Sequence, residues 1–182
     1  MPCSVFVGIS VDGFMARPDG SVDFLHAGEG VPHGFEEFYA SVDAIVIGRK
    51  TFEWVLSYGQ WMYGKMRVVA LSSRPLDFSQ YPEARLEQMS GEPADIIAKL
   101  AASGSNHLYI DGGVTIQRFL RAGLIDHLII TRVPVLIGQG IPLFGSLPHD
   151  LQLNHLATRT YPKGLVQSEY EVIRDSVPNP AT

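Results

Sequence analysis

The amino-acid sequence predicts one α/β domain, spanning residues 1–182, with a mostly parallel sheet and an antiparallel end. From residue 4 to residue 123, short apolar runs alternate with helical patterns, which is typical of a parallel sheet covered by helices. Residues 151–173 instead contain two extended segments with no helix between them, which indicates antiparallel pairing. A chain of 182 residues, 46% of them hydrophobic, is large enough for one domain with a substantial core.

The first half of the chain contains four predicted strands and two predicted helices. The strands are apolar runs at residues 4–10, 44–47, 65–71 and 84–87. Apolar side chains at helical spacing predict a first helix around residues 35–42, and residues 51–56 are predicted as a second, short one. Between the first strand and the first helix, the Asp, Gly and Pro content of residues 12–20 predicts a long loop. Asp12-Gly13 is alternatively the turn of a β-hairpin.

The second half contains two predicted helices, each ended by a glycine. Pro93 lies in the first turn of one helix, where its missing N–H costs little, and Gly104 ends it. Gly123 is the predicted C-cap of the other. The predicted strands are residues 107–110, a β-branched and central strand at 127–135, and an edge hairpin of 151–161 and 165–173, followed by a loose tail from residue 175.

Composition argues against several classes of function. The net charge is −5, whereas binding to a nucleic-acid backbone requires a basic face. No apolar run approaches the roughly 20 residues of a membrane span, and the N-terminus lacks the basic region of a signal peptide. Cys3 is the only cysteine, and the six histidines show no metal-ligand spacing, so we expect no disulfide and no metal site. These features predict a cytoplasmic protein whose partner is a small molecule, not a nucleic acid or a membrane.

Three short strings carry the functional signal, because each directly follows a predicted strand. In open α/β sheets, ligands bind at the carboxyl ends of strands, and helix N-termini there offer free N–H groups to phosphate. The Rossmann fingerprint, the P-loop and the serine-hydrolase elbow are all absent. The strings therefore predict one polyphosphate ligand, most naturally a dinucleotide, spread across the sheet. Their residues are Gly48, Arg49, Lys50 and Thr51; Leu71, Ser72, Ser73 and Arg74; and Asp111, Gly112, Gly113, Val114 and Thr115.

Together with residues 10–16 and 134–144, these strings resemble the dihydrofolate reductase-like superfamily. More narrowly, the chain is similar to stand-alone proteins related to the C-terminal reductase domain of the riboflavin-biosynthesis deaminase/reductase. The resemblance covers residues 3–173. It implies a three-layer α/β fold with a central, mostly parallel eight-stranded sheet, an antiparallel C-terminal strand, and a homodimer. The zinc-binding string of the deaminase half is absent.

The cofactor that the resemblance implies is NADPH. The string from Gly48 would lie beside the pyrophosphate and the adenosine 2′-phosphate, and the string from Leu71 would hold the 2′-phosphate. No acidic residue stands beside Arg74 to repel that phosphate, which favours NADPH over NADH. The string from Asp111 would let the backbone approach the pyrophosphate, and the backbones of Gly8 and Met15 would hold the nicotinamide carboxamide. Residues 17–25 would form a mobile lid.

Each cofactor residue also has a purely structural interpretation. Arg49 and Lys50 are alternatively a solvated basic pair. Ser72 and Ser73 are alternatively turn residues before Pro75. Gly112-Gly113 is alternatively an ordinary turn between a strand and a helix.

The candidate catalytic and substrate-binding residues rest on the resemblance alone. The acid of the folate reductases would fall near His33 or Gly34, so Glu37 reaches the site only with a shift of register; alternatively, Glu36 and Glu37 complement the helix dipole. Asp12 is a candidate proton relay or a loop anchor. The candidate substrate residues are Phe38, an apolar wall or a core residue, and Thr131, a substrate contact or a strand former.

The sequence thus predicts an NADPH-dependent reductase that transfers a hydride to a small planar heteroaromatic or ribosylated substrate. Asp111, which precedes the glycines, favours the riboflavin side of the family over the folate side. One alternative is an NADPH-binding protein with little or no turnover, because the acid of the first helix is missing. Another is a protein that keeps the fold and has lost dinucleotide binding.

Overall fold

The computed structural model describes residues 1–174, so the predicted loose tail from residue 175 lies outside the described residues. Ten strands and four α-helices alternate along the chain. They are β1 (Cys3–Ser10), β2 (Phe14–Ala16), α1 (Phe35–Ser41), β3 (Ala44–Gly48), α2 (Arg49–Ser57), β4 (Arg67–Leu71), β5 (Leu86–Met89), α3 (Pro93–Ala102), β6 (Leu108–Asp111), α4 (Gly113–Arg121), β7 (His127–Val133), β8 (Ile141–Pro142), β9 (Leu153–Tyr161) and β10 (Leu165–Val172), with 3₁₀ turns at Asp23–Gly28 and Pro162–Gly164.

Eight of the strands form one sheet in the order β5-β4-β3-β6-β1-β7-β10-β9. The six strands from β5 to β7 in that order are parallel to their neighbours, whereas β10 runs antiparallel to β7 and pairs with β9 in a hairpin. This arrangement confirms the predicted mostly parallel sheet with an antiparallel C-terminal strand. In the hairpin, β9 occupies the edge of the sheet and β10 lies inside it.

Both faces of the central strands β1, β3, β4 and β6 are buried, which explains their continuous apolar runs. On one face, Ile96 of α3 and Ile116 and Phe119 of α4 pack against alternate residues of β1 and β6. On the other face, Phe38 of α1 and Phe52 of α2 pack against a second set. The three layers of the fold follow from these two cores.

Local departures from the predicted elements have backbone causes. Strand β7 ends at Val133 rather than at residue 135, because Pro134 has no N–H to donate to a ladder. Strand β2 lies within the predicted loop of residues 12–20 and pairs with β8 in a separate two-stranded sheet. Asp12-Gly13 does lie in a tight turn, in which the Gly13 N–H donates to the Ser10 carbonyl at 3.0 Å, but the strand that follows pairs with β8 and not with β1. The hairpin alternative for Asp12-Gly13 is therefore wrong.

Within residues 1–174, no helix combines the length and the apolar character that crossing a bilayer requires.

Candidate active site

The three predicted phosphate-binding strings meet at one edge of the sheet. Strands β4, β3 and β6 are neighbours, and their register pairs Gly48 with Leu71 and Ile47 with Asp111. Parallel strands end at the same side of a sheet, so the residues after each strand lie beside one another. We call this side, formed by the carboxyl ends of β3, β4 and β6, the phosphate edge.

Two helices begin at the phosphate edge without side-chain caps. Gly48 precedes α2 and Gly112 precedes α4, and neither helix has a side-chain hydrogen bond at its N-cap. A Cβ on Gly112 would lie 2.4 Å from the Thr51 hydroxyl oxygen, and one on Gly48 would lie 2.8 Å from that of Thr115. The two glycines are therefore required for close approach, and the N–H groups of both first turns are free to bind an anion.

The basic side chains of the phosphate edge are accessible. Arg49, at the start of α2, donates to the Glu53 carboxylate at 2.6 Å, one turn later on the same helix. Lys50, Ser73 and Arg74 are exposed. All four residues lie at the ends of β3 and β4, where the predicted 2′-phosphate contacts require them to be.

Ser72 has a structural partner instead. Its hydroxyl donates to the Arg74 carbonyl at 2.7 Å and accepts from the Arg74 N–H at 3.1 Å. Gln88 of β5 also donates to the carbonyls of Ser72 and Arg74. These bonds match the turn interpretation of Ser72, and they hold Ser73 and Arg74 outward.

Asp111 ends β6 with a half-buried carboxylate, which accepts from the Gly112 N–H at 2.7 Å. Burial raises the pKa of Asp111 from 3.8 to about 6, against the opposing effect of that hydrogen bond. Burial also raises the pKa of Tyr63 and of Tyr109, and the nearby charge of Asp111 adds a smaller rise to each. The phosphate edge therefore contains a carboxyl group whose burial raises its pKa and so weakens its negative charge near pH 6.

A cleft of about 410 Å³ lies between the sheet and the segment that connects β2 to α1. Its floor comes from β1, β7 and β10, and β1 is the neighbour of β6 in the sheet, so the cleft adjoins the phosphate edge. The lining residues are Phe6, Gly8, Val22, Leu25, His26, Gly28, Glu29, Gly30, Val31, His33, Phe35, Thr131, Val133 and Leu165.

Gly8 and Met15, the predicted nicotinamide residues, lie near the place where the cleft adjoins the phosphate edge. A Cβ on Gly8 would be 3.0 Å from a methyl carbon of Leu25, so a larger residue here would push that side chain away from the floor of the cleft. Met15 is buried, and its sulfur would lie 3.4 Å from a Cβ on Gly113 at the start of α4. Gly8 therefore lines the cleft, whereas Met15 packs beside the first turn of α4 at the phosphate edge.

Thr131, the predicted substrate residue, lines the cleft and is held by a polar group that the sequence analysis missed. Gln167 of β10 donates to the Thr131 hydroxyl at 3.0 Å and to the His33 carbonyl at 2.9 Å. The Tyr161 hydroxyl donates to the Gln167 side-chain oxygen at 3.3 Å. Because the Thr131 oxygen accepts from Gln167, its own O–H can donate to a molecule in the cleft.

Along β10, Gln167 alternates with Val166 and Ser168, in phase with the charged residues Glu169 and Glu171. In the structure Gln167 is only 3% exposed. It lies two residues from the buried Leu165, on the face that lines the cleft, and this spacing is the one signal in the sequence that distinguishes it.

Phe38 does not line the cleft. It is buried in the second core, with its ring 5.1 Å from those of Phe6 and Tyr109. Because α1 turns its i and i+4 residues, Phe38 and Val42, toward the sheet, the cleft wall is supplied by Phe35 at the first turn. The prediction of Phe38 as an apolar wall is corrected to its core alternative.

The two candidate proton donors also lie outside the cleft lining. Asp12 is exposed, and its carboxylate accepts from the N–H groups of Ile137 and Gly138 at 3.3 and 2.8 Å. The Ser10 hydroxyl and these backbone groups hold the pKa of Asp12 below its usual value. This is the geometry of the loop-anchor alternative. Glu37 is exposed on α1.

The predicted lid forms one wall of the cleft. Arg17 donates to the Asp23 carboxylate at 2.9 Å, and its N–H binds the Ser21 carbonyl at 2.8 Å. Val22 and Leu25 then line the cleft.

In the part of the chain that the structure describes, no three His, Cys, Asp or Glu side chains group together as a metal site requires.

Comparisons with known proteins agree with this geometry. The family model of the RibD C-terminal domain matches residues 4–167. A structure from Shewanella sp. PV-4, provisionally described as a riboflavin biosynthesis protein, is 40% identical and superposes with a TM-score of 0.88 over 96% of this chain and 100% of that one. The uncharacterized protein YwjB of Bacillus subtilis is 29% identical over 160 residues, covering 86% of this chain and 90% of its own.

A more distant structure shares the fold. Dihydrofolate reductase from Enterococcus faecalis, in complex with NADP(H), is 15% identical and superposes with a TM-score of 0.64 over 95% of this chain and 97% of that one. The resemblance predicted from the motifs is confirmed: the chain belongs to the RibD C-terminal domain family, a reductase-like family with the dihydrofolate reductase-like fold.

Proposed function

We propose that this protein is an NADPH-dependent oxidoreductase that transfers a hydride to a small planar heteroaromatic or ribosylated substrate. The observation that carries the proposal is the pair of uncapped helix N-termini at Gly48 and Gly112, at the ends of the neighbouring strands β3 and β6, of which β6 is next to the cleft-floor strand β1. An extended molecule with phosphates at one end and a planar ring at the other fits this arrangement.

On this proposal, the first turns of α2 and α4 bind the pyrophosphate through backbone N–H groups. The 2′-phosphate contacts Arg49, Ser73 and Arg74, because guanidinium groups bind phosphate with two parallel hydrogen bonds and a hydroxyl adds a neutral donor. The nicotinamide lies between Gly8 and Met15. Bound NADPH supplies the hydride, and the chain contributes binding, orientation and exclusion of water.

The cleft then holds the substrate. Its walls include the apolar side chains of Phe6, Phe35, Val133 and Leu165, which suit the two faces of a planar ring. The Thr131 hydroxyl is the polar group available to orient that ring, through a hydrogen bond to a carbonyl oxygen or ring nitrogen. Holding the two reacting rings in contact supplies much of the rate enhancement of a hydride transfer.

The first experiment is calorimetry with NADPH and NADH. We expect NADPH to bind and NADH to bind more weakly, because only NADPH carries the 2′-phosphate. Absence of NADPH binding at millimolar ligand would refute both the reductase and the NADPH-binding alternative.

A second experiment decides between turnover and binding alone. NADPH oxidation is followed with 7,8-dihydrofolate, pteridines and ribosylamino-pyrimidines as substrates. Oxidation with one of these classes supports the reductase. Binding without oxidation across all of them supports an NADPH-binding protein instead, an alternative that the exposed positions of Glu36 and Glu37 on α1 favour.

A further inference from the structure

The cleft contains the imidazole of His33, and a hydrogen bond identifies which of its two ring nitrogens carries the hydrogen. His33 Nδ1 lies 2.7 Å from the Val31 carbonyl oxygen. A carbonyl oxygen only accepts hydrogen bonds, so Nδ1 carries a hydrogen in both the neutral and the cationic ring. Nε2 is therefore the ring nitrogen that Val31 leaves available to a molecule in the cleft.

His33 Nε2 faces accessible space. Among residues 1–174, this atom has no hydrogen-bond partner, and no buried side-chain nitrogen or oxygen is left without one. Nε2 is consequently accessible, and the residue lines the cleft. The ring is also fixed in position, since its centroid is 5.5 Å from that of Phe6 and 6.4 Å from that of Tyr161.

The backbone of His33 is tied to the substrate-binding side of the cleft. Gln167 donates to the His33 carbonyl at 2.9 Å with the same amide nitrogen that donates to Thr131. Val31, whose carbonyl holds Nδ1, is itself buried against Val133 and Leu165. The backbone of His33 and the Thr131 hydroxyl are thus held relative to each other by one side chain, that of Gln167.

The other titratable groups around His33 come from three elements. His26 and Glu29 line the same cleft from the 3₁₀ segment. Tyr161 and Lys163 approach from the β9–β10 hairpin, and the Lys163 ammonium donates to the Glu29 carbonyl at 2.8 Å. From α1, Glu36 and Glu37 are exposed and lie outside the lining.

We propose that His33 is the acid–base catalytic residue of the reductase, an inference that rests on the function proposed above. The hydride forms a C–H bond at the carbon of a C=N or C=O group of the substrate, and the π electron pair moves onto the nitrogen or oxygen. That atom takes the proton from Nε2 of the His33 imidazolium. The neutral imidazole, still carrying its Nδ1 hydrogen, then recovers a proton from solvent.

The first test reads the tautomer of His33 by nitrogen-15 NMR of the whole protein, with the resonance assigned from the His33→Gln variant. We expect the neutral ring to carry its hydrogen on Nδ1, and Nε2 to shift when pterin is added to the NADP⁺-bound protein. An Nε2–H tautomer, or an Nε2 signal that does not respond to pterin, overturns the proposal even if the protein turns over no substrate.

The second test compares pH profiles of NADPH oxidation, using the substrate that the panel above identifies. In the wild type we expect kcat to fall as rising pH removes the proton that NMR observes on His33. His33→Gln should lower kcat by about a hundredfold or more and lose that limb of the profile. The matched control is His149→Gln, on an exposed loop outside the cleft. This variant should change neither kcat nor its fall at high pH. A His33→Gln profile that retains the limb would refute the assignment.

NADPH affinity separates this inference from the function on which it rests. We expect His33→Gln to bind NADPH as the wild type does. If the wild type itself fails to bind NADPH, the proposed function fails; if binding is intact and His33 shows the wrong tautomer or an unchanged profile, only the assignment of His33 fails.

Discussion

Replacing Asp111 with asparagine should stabilise the protein at high pH and not at low pH. Burial raises the pKa of this carboxyl from 3.8 to about 6. Well below pH 3.8 the group is protonated in both the folded and the unfolded chain, so it has no effect on stability. As pH rises from about 4 to about 6, the unfolded chain ionises this carboxyl in water whereas burial opposes its ionisation in the folded chain, and stability is lost.

The size of the effect follows from the two pKa values. A difference of about two pKa units corresponds to about 3 kcal/mol, at about 1.4 kcal/mol for each unit. Asparagine keeps an oxygen that accepts the Gly112 N–H and carries no charge at any pH. The free energy of unfolding of Asp111→Asn, minus that of the wild type, should therefore be about 2–3 kcal/mol larger at pH 8 than at pH 4, where part of the effect is already present.

The assay is urea denaturation of both proteins at the two pH values. Any packing defect that asparagine introduces is the same at both pH values. The change in the stability difference between pH 4 and pH 8 therefore reports only the charge of Asp111. Asp77→Asn is the control, since the Ser79 hydroxyl and N–H hold the pKa of the exposed Asp77 low, and this variant should instead lose stability at pH 8. A pH-independent effect of Asp111→Asn would refute the reasoning.

Three further changes test the phosphate edge and the cleft. Arg49→Ala should weaken NADPH binding much more than NADH binding by calorimetry; equal losses would contradict the 2′-phosphate contact. Gly112→Ala, at a φ of 89° and with its Cβ 2.4 Å from the Thr51 hydroxyl oxygen, should lower both the melting temperature and NADPH affinity, and Thr51→Ala should restore only part of the loss because the backbone strain remains. Gln167→Leu leaves the Thr131 hydroxyl without its donor and should cost about 1–3 kcal/mol by urea denaturation, whereas a stability equal to the wild type would show that its hydrogen bonds are dispensable.

The fold was predictable in detail because its signals are local. Gly48, Gly104 and Gly123 lie where elements end, and Pro93 lies where a helix begins. The apolar runs of β1, β3 and β6 are continuous because both faces of a parallel sheet are buried. The exception is the small sheet of β2 and β8, since a two-residue strand has no periodicity to detect.

The phosphate edge was predictable for a related reason. A strand followed by a glycine and a helix leaves free backbone N–H groups at the carboxyl end of an open α/β sheet, where ligands of this class of fold bind. The spacing alone did not reveal that Thr51 lies over Gly112 and Thr115 over Gly48. That reciprocal contact depends on β3 and β6 being neighbours, although about 60 residues separate them in the chain.

The sequence by itself determined the class of fold, the family and the edge where a dinucleotide is proposed to bind, because these depend on motifs and periods of a few residues. Only the tertiary structure decided which side chains face the cleft. In that structure Phe38 is buried in the core and Asp12 accepts a hydrogen bond from the Gly138 N–H. Gln167 there binds both Thr131 and His33. Thr131 lies on β7, Gln167 on β10 and His33 in the segment before α1. No local sequence pattern predicts that β10 folds back to pair with β7 and so places Gln167 opposite Thr131.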